Sequence, residues 1–176
     1  MATAKRQAIN GDPSAVARRV EAIADILQVV GQYQRMPIPP GSDPSEPLRV
    51  AFSQTPADVQ VFNETQLIVS LRFRCVIATP DSDFEALASN FHGEATPAGL
   101  RFRAEAAYVV SYIISAGTAP TRAELDAFGQ VNVPLNIVPY WREFLDSSLR
   151  RAGMPPVLAP VHKTDPAAPA APERKP

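Results

Sequence analysis

Gln66-Leu67-Ile68-Val69-Ser70-Leu71-Arg72-Phe73-Arg74-Cys75-Val76-Ile77 places Leu67, Val69, Leu71, Phe73, Cys75 and Ile77 on odd positions, and Gln66, Ser70, Arg72 and Arg74 on even ones. A period of two sends successive side chains to opposite faces of a strand, so one face is apolar and the other wet. Residues 79–98, with Thr79-Pro80-Asp81-Ser82-Asp83 and Gly93, break the alternation. It resumes through Leu100, Phe102, Ala104, Ala106, Tyr108, Val110, Tyr112 and Ile114. If these two long strands pair antiparallel, their apolar sets share a face only when paired positions sum to an odd number. A sum near 177 fits, with Phe73 opposite Ala104, Cys75 opposite Phe102 and Arg72 opposite Glu105. A slip of two residues preserves the faces equally well.

Towards the N-terminus, Leu48–Phe52 alternates as a further strand, behind a Pro/Gly/Ser loop at 37–47. Ile26–Tyr33, rich in β-formers, reads as the first strand. Asp12 and Pro13 form a helix start, and Val16, Val20 and Ile23 or Ala24 recur at helical spacing, which predicts an amphipathic helix of about three turns. Towards the C-terminus, Thr121 and Glu124 have capping-box spacing and open a short helix through about Phe128. A longer helix follows Asn132, carrying Leu135, Val138, Trp141 or Arg142, Leu145, Leu149 and Ala152, with Gly153 as its stop. Pro139 lies one turn inside it and should bend it. The expected fold class is α+β: a four-stranded antiparallel sheet with C-terminal helices packed on it and a short N-terminal helix. Residues 1–11 read as a flexible N-terminus, 12–161 as one domain, and 162–176, all Pro, Ala and charge, as a disordered tail.

The 176 residues suit one domain, and 45% hydrophobic with 20% charged residues is a globular composition. A net charge of -1 offers no general footprint for nucleic acid. No signal-peptide core follows Lys5 and Arg6, and no run approaches the ~18 apolar residues of a membrane span, so a cytoplasmic address without membrane insertion is expected. The eight glycines are too scattered for a phosphate loop or a dinucleotide fingerprint. Cys75, the one cysteine, falls on the apolar side of a strand and reads as core. His92 reads as a solvated loop residue, and His162 sits in the tail. Arg72, Arg74, Arg101 and Arg103 are the one candidate anion patch, for which a solvated sheet face is the preferred reading. Ser147 and Ser148 read as small helix-packing residues. No nucleophile, acid–base pair, metal set or cofactor motif can be assembled, so an enzyme is not expected. The sheet's surplus apolar surface requires a partner.

Val138-Pro139-Tyr140-Trp141-Arg142-Glu143-Phe144, followed by Arg150-Arg151-Ala152-Gly153-Met154-Pro155-Pro156-Val157-Leu158-Ala159-Pro160-Val161, resembles the SecB family of export chaperones. The shared pattern is an apolar residue, Pro-Tyr-x-Arg-Glu, a helix, a glycine, and a closing apolar-Ala-Pro-Val. With the four strands before it, the resemblance spans about residues 26–161. It implies a SecB-like ATP-independent holdase with no cofactor, assembled as a homotetramer, a dimer of dimers. Its grooves between sheet and helix would wrap unfolded polypeptides, and in export it would hand preproteins to SecA for translocation. The matched motif residues are Pro139, Tyr140, Arg142, Glu143 and Gly153. Client contact is expected at Tyr140, Trp141, Phe144, Met154, Pro155, Val157 and Leu158, with packing as the alternative for the three aromatics. Export members continue into a further helix and are acidic, whereas this chain is near neutral and runs into a Pro/Ala tail. These departures point to the divergent branch that includes antitoxin chaperones of toxin-antitoxin pairs. The alternative is a non-catalytic oligomeric interaction module of the same fold.

Overall fold

The structure, a computed structural model, describes residues 11–38, 40–41, 43, 45–89, 91–92 and 97–159. The expected Pro/Ala tail, the closing Pro160-Val161 and nearly all of the expected flexible N-terminus lie outside the described residues. The elements are α1 (Pro13–Ala17), β1 (Val20–Arg35), β2 (Arg49–Gln54), β3 (Asp58–Asn63), β4 (Gln66–Ala78), α2 (Phe84–Ser89), β5 (Leu100–Ile114) and α3 (Arg122–Arg151). All pairings are antiparallel, in the order β1-β5-β4-β2, with β3 also on β4.

β4 and β5 carry the expected alternation, and every odd apolar position of β4 and even position of β5 in the two runs is buried. Their register differs from the expected one by two residues: Phe73 faces Ala106, Cys75 faces Ala104, and Arg74, not Arg72, faces Glu105. Burial of one face enforces parity only. A long connection, unlike a two-residue hairpin, leaves the remaining choice to packing. That connection also contains α2, unforeseen from sequence, with Asp83 Oδ1 accepting from the amides of Glu85 (3.1 Å) and Ala86 (3.0 Å).

The one strand expected near Leu48–Phe52 is followed by a second, β3. The two lie in line along the same edge of β4, β2 against Phe73–Ala78 and β3 against Gln66–Ser70. Thr55 continues the ladder, its N–H donating to Arg72 O (2.9 Å) and its hydroxyl accepting from Arg72 N (3.1 Å). Pro56, without an N–H, then interrupts it. The sheet is therefore four strand positions wide, as expected, with one position broken in two.

β1 begins at Val20, six residues earlier than expected, and α1 ends after little more than one turn. The spacing that resembled a helix belongs to a bulged strand. β1 shifts register against β5 at three places, between Val20 and Ala22, Ile23 and Asp25, and Gln28 and Val30. Each extra residue breaks the period of two. Val20, Ile23, Ile26, Gln28, Gly31 and Tyr33 thus all pair with even, core-facing positions of β5 at spacings of two and three.

The two expected C-terminal helices are a single helix of 30 residues. The capping box is present, Thr121 N–H donating to Glu124 Oε2 (2.8 Å) and Glu124 N–H to Thr121 Oγ1 (3.3 Å). Gly129 is not a break: a Cβ there would lie 2.8 Å from Val59 Cγ2, so the glycine lets α3 approach β3. Pro134 and Pro139 lie inside the helix and remove the donors to the carbonyls of Gln130 and Leu135. Gly153, at φ +62°, closes the helix, its N–H on Arg150 O (3.0 Å) and that of Met154 on Leu149 O (2.9 Å), the Schellman pattern. Leu125, Phe128, Val133, Ile137, Trp141, Leu145 and Leu149 of α3 bury against the apolar face of the sheet.

Replacing Gly129 by valine forces α3 off β3. We expect Gly129→Val to cost about 1–3 kcal/mol, as overpacking does, read as a lower urea midpoint at unchanged slope.

Candidate functional site

The second half of α3 has two unlike flanks. A helix advances 100° per residue, so Tyr140, Phe144, Ser147 and Arg151 share one side while Arg142 projects to the other. On the first side a groove of about 390 Å³ separates α3 from the sheet. Its floor is Ile26, Gln28, Gly31 and Tyr33 of β1 with Tyr108 of β5, and its wall is Tyr140, Glu143, Phe144, Ser147, Ser148 and Arg151. The β1 bulges place the floor residues on one face. Gly31 brings the wall close, since Phe144 Cε2 lies 3.1 Å from where its Cβ would stand. Tyr33 stacks on Phe102 with ring centroids 6.1 Å apart. Tyr108 is buried, and its hydroxyl has no hydrogen-bond partner among the described residues. Burial, with the nearby Glu143 carboxylate, pushes that hydroxyl's pKa up, so it keeps its proton.

On the opposite flank the chain turns at Gly153 and returns along α3. Arg142 Nη2 donates to Ala159 O at 3.1 Å, and Met154, Val157 and Ala159 pack on the core. That flank is filled.

The seven residues expected at a client surface therefore separate. Tyr140 and Phe144 line the groove. Trp141 is core, stacked on Phe73 (5.7 Å) and Phe144 (5.8 Å). Met154 and Val157 pack on the core beyond Gly153, Met154 beside Arg35 and Met36 at the end of β1, while Pro155 and Leu158 are exposed and do not line the groove. Of the motif residues, Glu143 joins the groove, Arg142 pins the returning segment, Gly153 makes the stop, and Pro139 lies within α3. Sequence reasoning missed Ile26, Gln28, Gly31, Tyr33 and Tyr108. Tyr108 sits on the apolar stripe and resembled core, and the β1 residues share a face only because of bulges.

The other face of the sheet is less wet than expected. Met36, Val76, Ala78, Leu87, Phe91 and Leu100 form a second small core under α2. Beside it Glu105, 1% exposed, accepts from Arg74 Nε (2.6 Å), Arg72 Nη1 (3.4 Å) and Gln32 Nε2 (3.3 Å), and His92 Nε2 lies 3.3 Å away. His92 is thus held against a carboxylate and is not simply solvated. Arg103 binds Gln34 Oε1 (2.7 and 3.0 Å) and the Phe91 carbonyl, and Arg101 pairs with Glu46 at 3.2 Å. The four arginines are structural ties. Cys75 is buried and its thiol pushed up to about 12 by burial. Among the described residues no cluster of three His, Cys, Asp or Glu side chains could hold a metal, and no helix is long and apolar enough to cross a membrane.

No protein family matches the sequence, and no curated protein is similar to it. Solved structures share the fold. One is the SecB-like chaperone Rv1957 of Mycobacterium tuberculosis in complex with a ChAD peptide from the antitoxin HigA1 (Rv1956), at TM-score 0.66 and 17% identity over 86% of this chain and 96% of that one. The fold is the SecB-like one.

Burial opposes the charge of Glu105, but the Arg74 hydrogen bond and the charges of Arg72, Arg74 and His92 outweigh it and hold the carboxyl below its ordinary 4.5. A depressed folded-state pKa adds stability that is complete above 4.5 and lost as pH falls through the lower folded value. Glu105→Gln should cost about 2 kcal/mol at pH 7 and flatten the acid limb of the stability profile, read by urea unfolding between neutral and acid pH.

Proposed function

We propose that this SecB-fold chain is an ATP-independent holdase whose groove between β1 and α3 takes a non-native polypeptide. The observation that carries this is an unfilled, aromatic-walled groove on a fold that it shares with a chaperone captured with an antitoxin peptide. Aromatic rings supply contact area at little entropic cost, and adaptable polar groups between them accept many sequences. A disordered antitoxin segment is the favoured client. Chaperoning of preproteins for export with transfer to SecA is the second reading, and the near-neutral charge and Pro/Ala tail weigh against it. The chain acts without a cofactor, in the cytoplasm, and as a homotetramer. β1 supports the assembly: it is an edge of the sheet, 16 residues long, with Leu27 52% and Val29 56% exposed. An edge of that length left bare invites pairing with another chain.

The purified chain should suppress aggregation of an unfolded test protein without nucleotide, and its light-scattering mass should be four times that of one chain. Truncating the wall with Tyr140→Ala and Phe144→Ala together should weaken polypeptide binding at least about tenfold, whereas Leu158→Ala, on the filled flank, should change nothing. A monomer with no suppression would leave only the fold, and an oligomer with no suppression would make the chain an interaction module.

A further inference from the structure

Glu143 and Arg151 both line the groove, both are exposed, and neither makes a hydrogen bond or ion pair among the described residues. Their neighbours in sequence are occupied: Arg142 holds Ala159 O, and Arg150 pairs with Asp146. The other polar side chains of the lining carry no charge, so an occupant meets one carboxylate and one guanidinium. Eight residues separate the two on α3, about 12 Å along its axis. The groove follows the same line. Phe144 closes on Gly31, and Ala152 O, eight residues further along α3, accepts from Arg35 Nη1 (2.7 Å), four residues further along β1. Four strand residues advance about 13 Å, so helix and strand run side by side. The two charges therefore stand at separate points along the length of the groove, with Phe144 and Ser147 between them.

We propose that the groove selects an extended polypeptide segment carrying a basic and an acidic side chain four residues apart, the basic one against Glu143 and the acidic one against Arg151, with an apolar side chain midway. This rests on the chaperone reading above and gives its client a pattern. In an extended chain alternate side chains face the same way, and four residues span about 13 Å, the separation of the two charges. A spacing of three turns the second charge to the far side of the segment, and a spacing of two falls about 5 Å short. The midway side chain meets Phe144 on the wall and Tyr33 on the floor. Either order of the two charges fits, since the segment can be laid in either direction. A segment with two basic or two acidic side chains at those places brings a like charge to one of the two residues, the repulsion by which a site rejects a competitor.

The probe is reduced, carboxymethylated α-lactalbumin, a permanently unfolded chain, labelled for fluorescence anisotropy and bound to the full-length protein. Short competitor peptides share a Ser/Thr/Gly host with a central leucine and carry, two residues to either side of it, Lys and Glu, a pair of Lys, or a pair of Glu. The mixed peptide should compete about threefold more strongly than either of the others, the scale of an exposed ion pair. That preference should fade at about 0.5 M salt, where exposed charges are screened. Glu143→Lys should turn the preference to the Glu-pair peptide and Arg151→Glu to the Lys-pair peptide, each with the thermal midpoint and light-scattering mass of the parent, because both side chains are exposed. Equal competition by all peptides, competition by none, or variants that leave the order unchanged each overturn the inference, while binding of the probe keeps the holdase reading. A changed mass in either variant also overturns it, by giving the charge to a contact between copies. Failure of the parent chain to bind the probe overturns both.

Discussion

The β4–β5 ladder is the constraint on which the rest depends. The thirteen residues of β4 pair with thirteen of the fifteen of β5 with their apolar sets in phase, so Leu67, Val69, Leu71, Phe73, Cys75 and Ile77 share a face with Phe102, Ala104, Ala106, Tyr108, Val110, Tyr112 and Ile114. A slip by one residue would turn one of those sets to the other face. With the pair central, β1 and the broken β2–β3 strand become its flanks, and α3 is the element that buries the apolar face. The second face is tied down by a different device, a buried carboxylate holding two guanidiniums and a histidine.

α3 covers the sheet unevenly. On one flank the returning Met154–Ala159 segment adds apolar contacts and is fastened by Arg142. On the β1 flank nothing within the described residues does the same, and the bulges that bring Gln28, Gly31 and Tyr33 onto one face leave aromatic rings around an unfilled space. The open groove is therefore a consequence of two local choices: register shifts in an edge strand and the side to which the chain turns at Gly153.

Periodic features were legible in the sequence and aperiodic ones were not. The two long strands, the capping box at Thr121 and Glu124, the Gly153 stop and the burial of Cys75 follow from alternation, spacing and a left-handed glycine. The start of β1 was hidden because a bulge converts spacing of two into spacing of three, which belongs equally to a helix. The break expected between Phe128 and Asn132 is not there, because what Gly129 serves is a close contact with Val59, distant in sequence. A small part of the groove was legible: Tyr140 and Phe144 stand in a recognisable motif, whereas Tyr33 and Tyr108 are indistinguishable from ordinary strand aromatics until the bulged β1 is laid beside β5.

The run Pro139-Tyr140-Trp141-Arg142-Glu143-Phe144 has a physical sense that its local appearance conceals. Successive residues on a helix point 100° apart, so Trp141 enters the core, Arg142 turns to the filled flank, and Tyr140, Glu143 and Phe144 face the groove. Arg142 fastens the returning Met154–Ala159 segment on the side where apolar cover is supplied from within the molecule. Glu143, one residue on, sets a charge on the side where cover must come from outside. The stretch thus acts as a partition between a surface that the protein completes itself and one that it leaves to another chain. Exchanging the identities of Arg142 and Glu143 would preserve composition and helix propensity while undoing both sides.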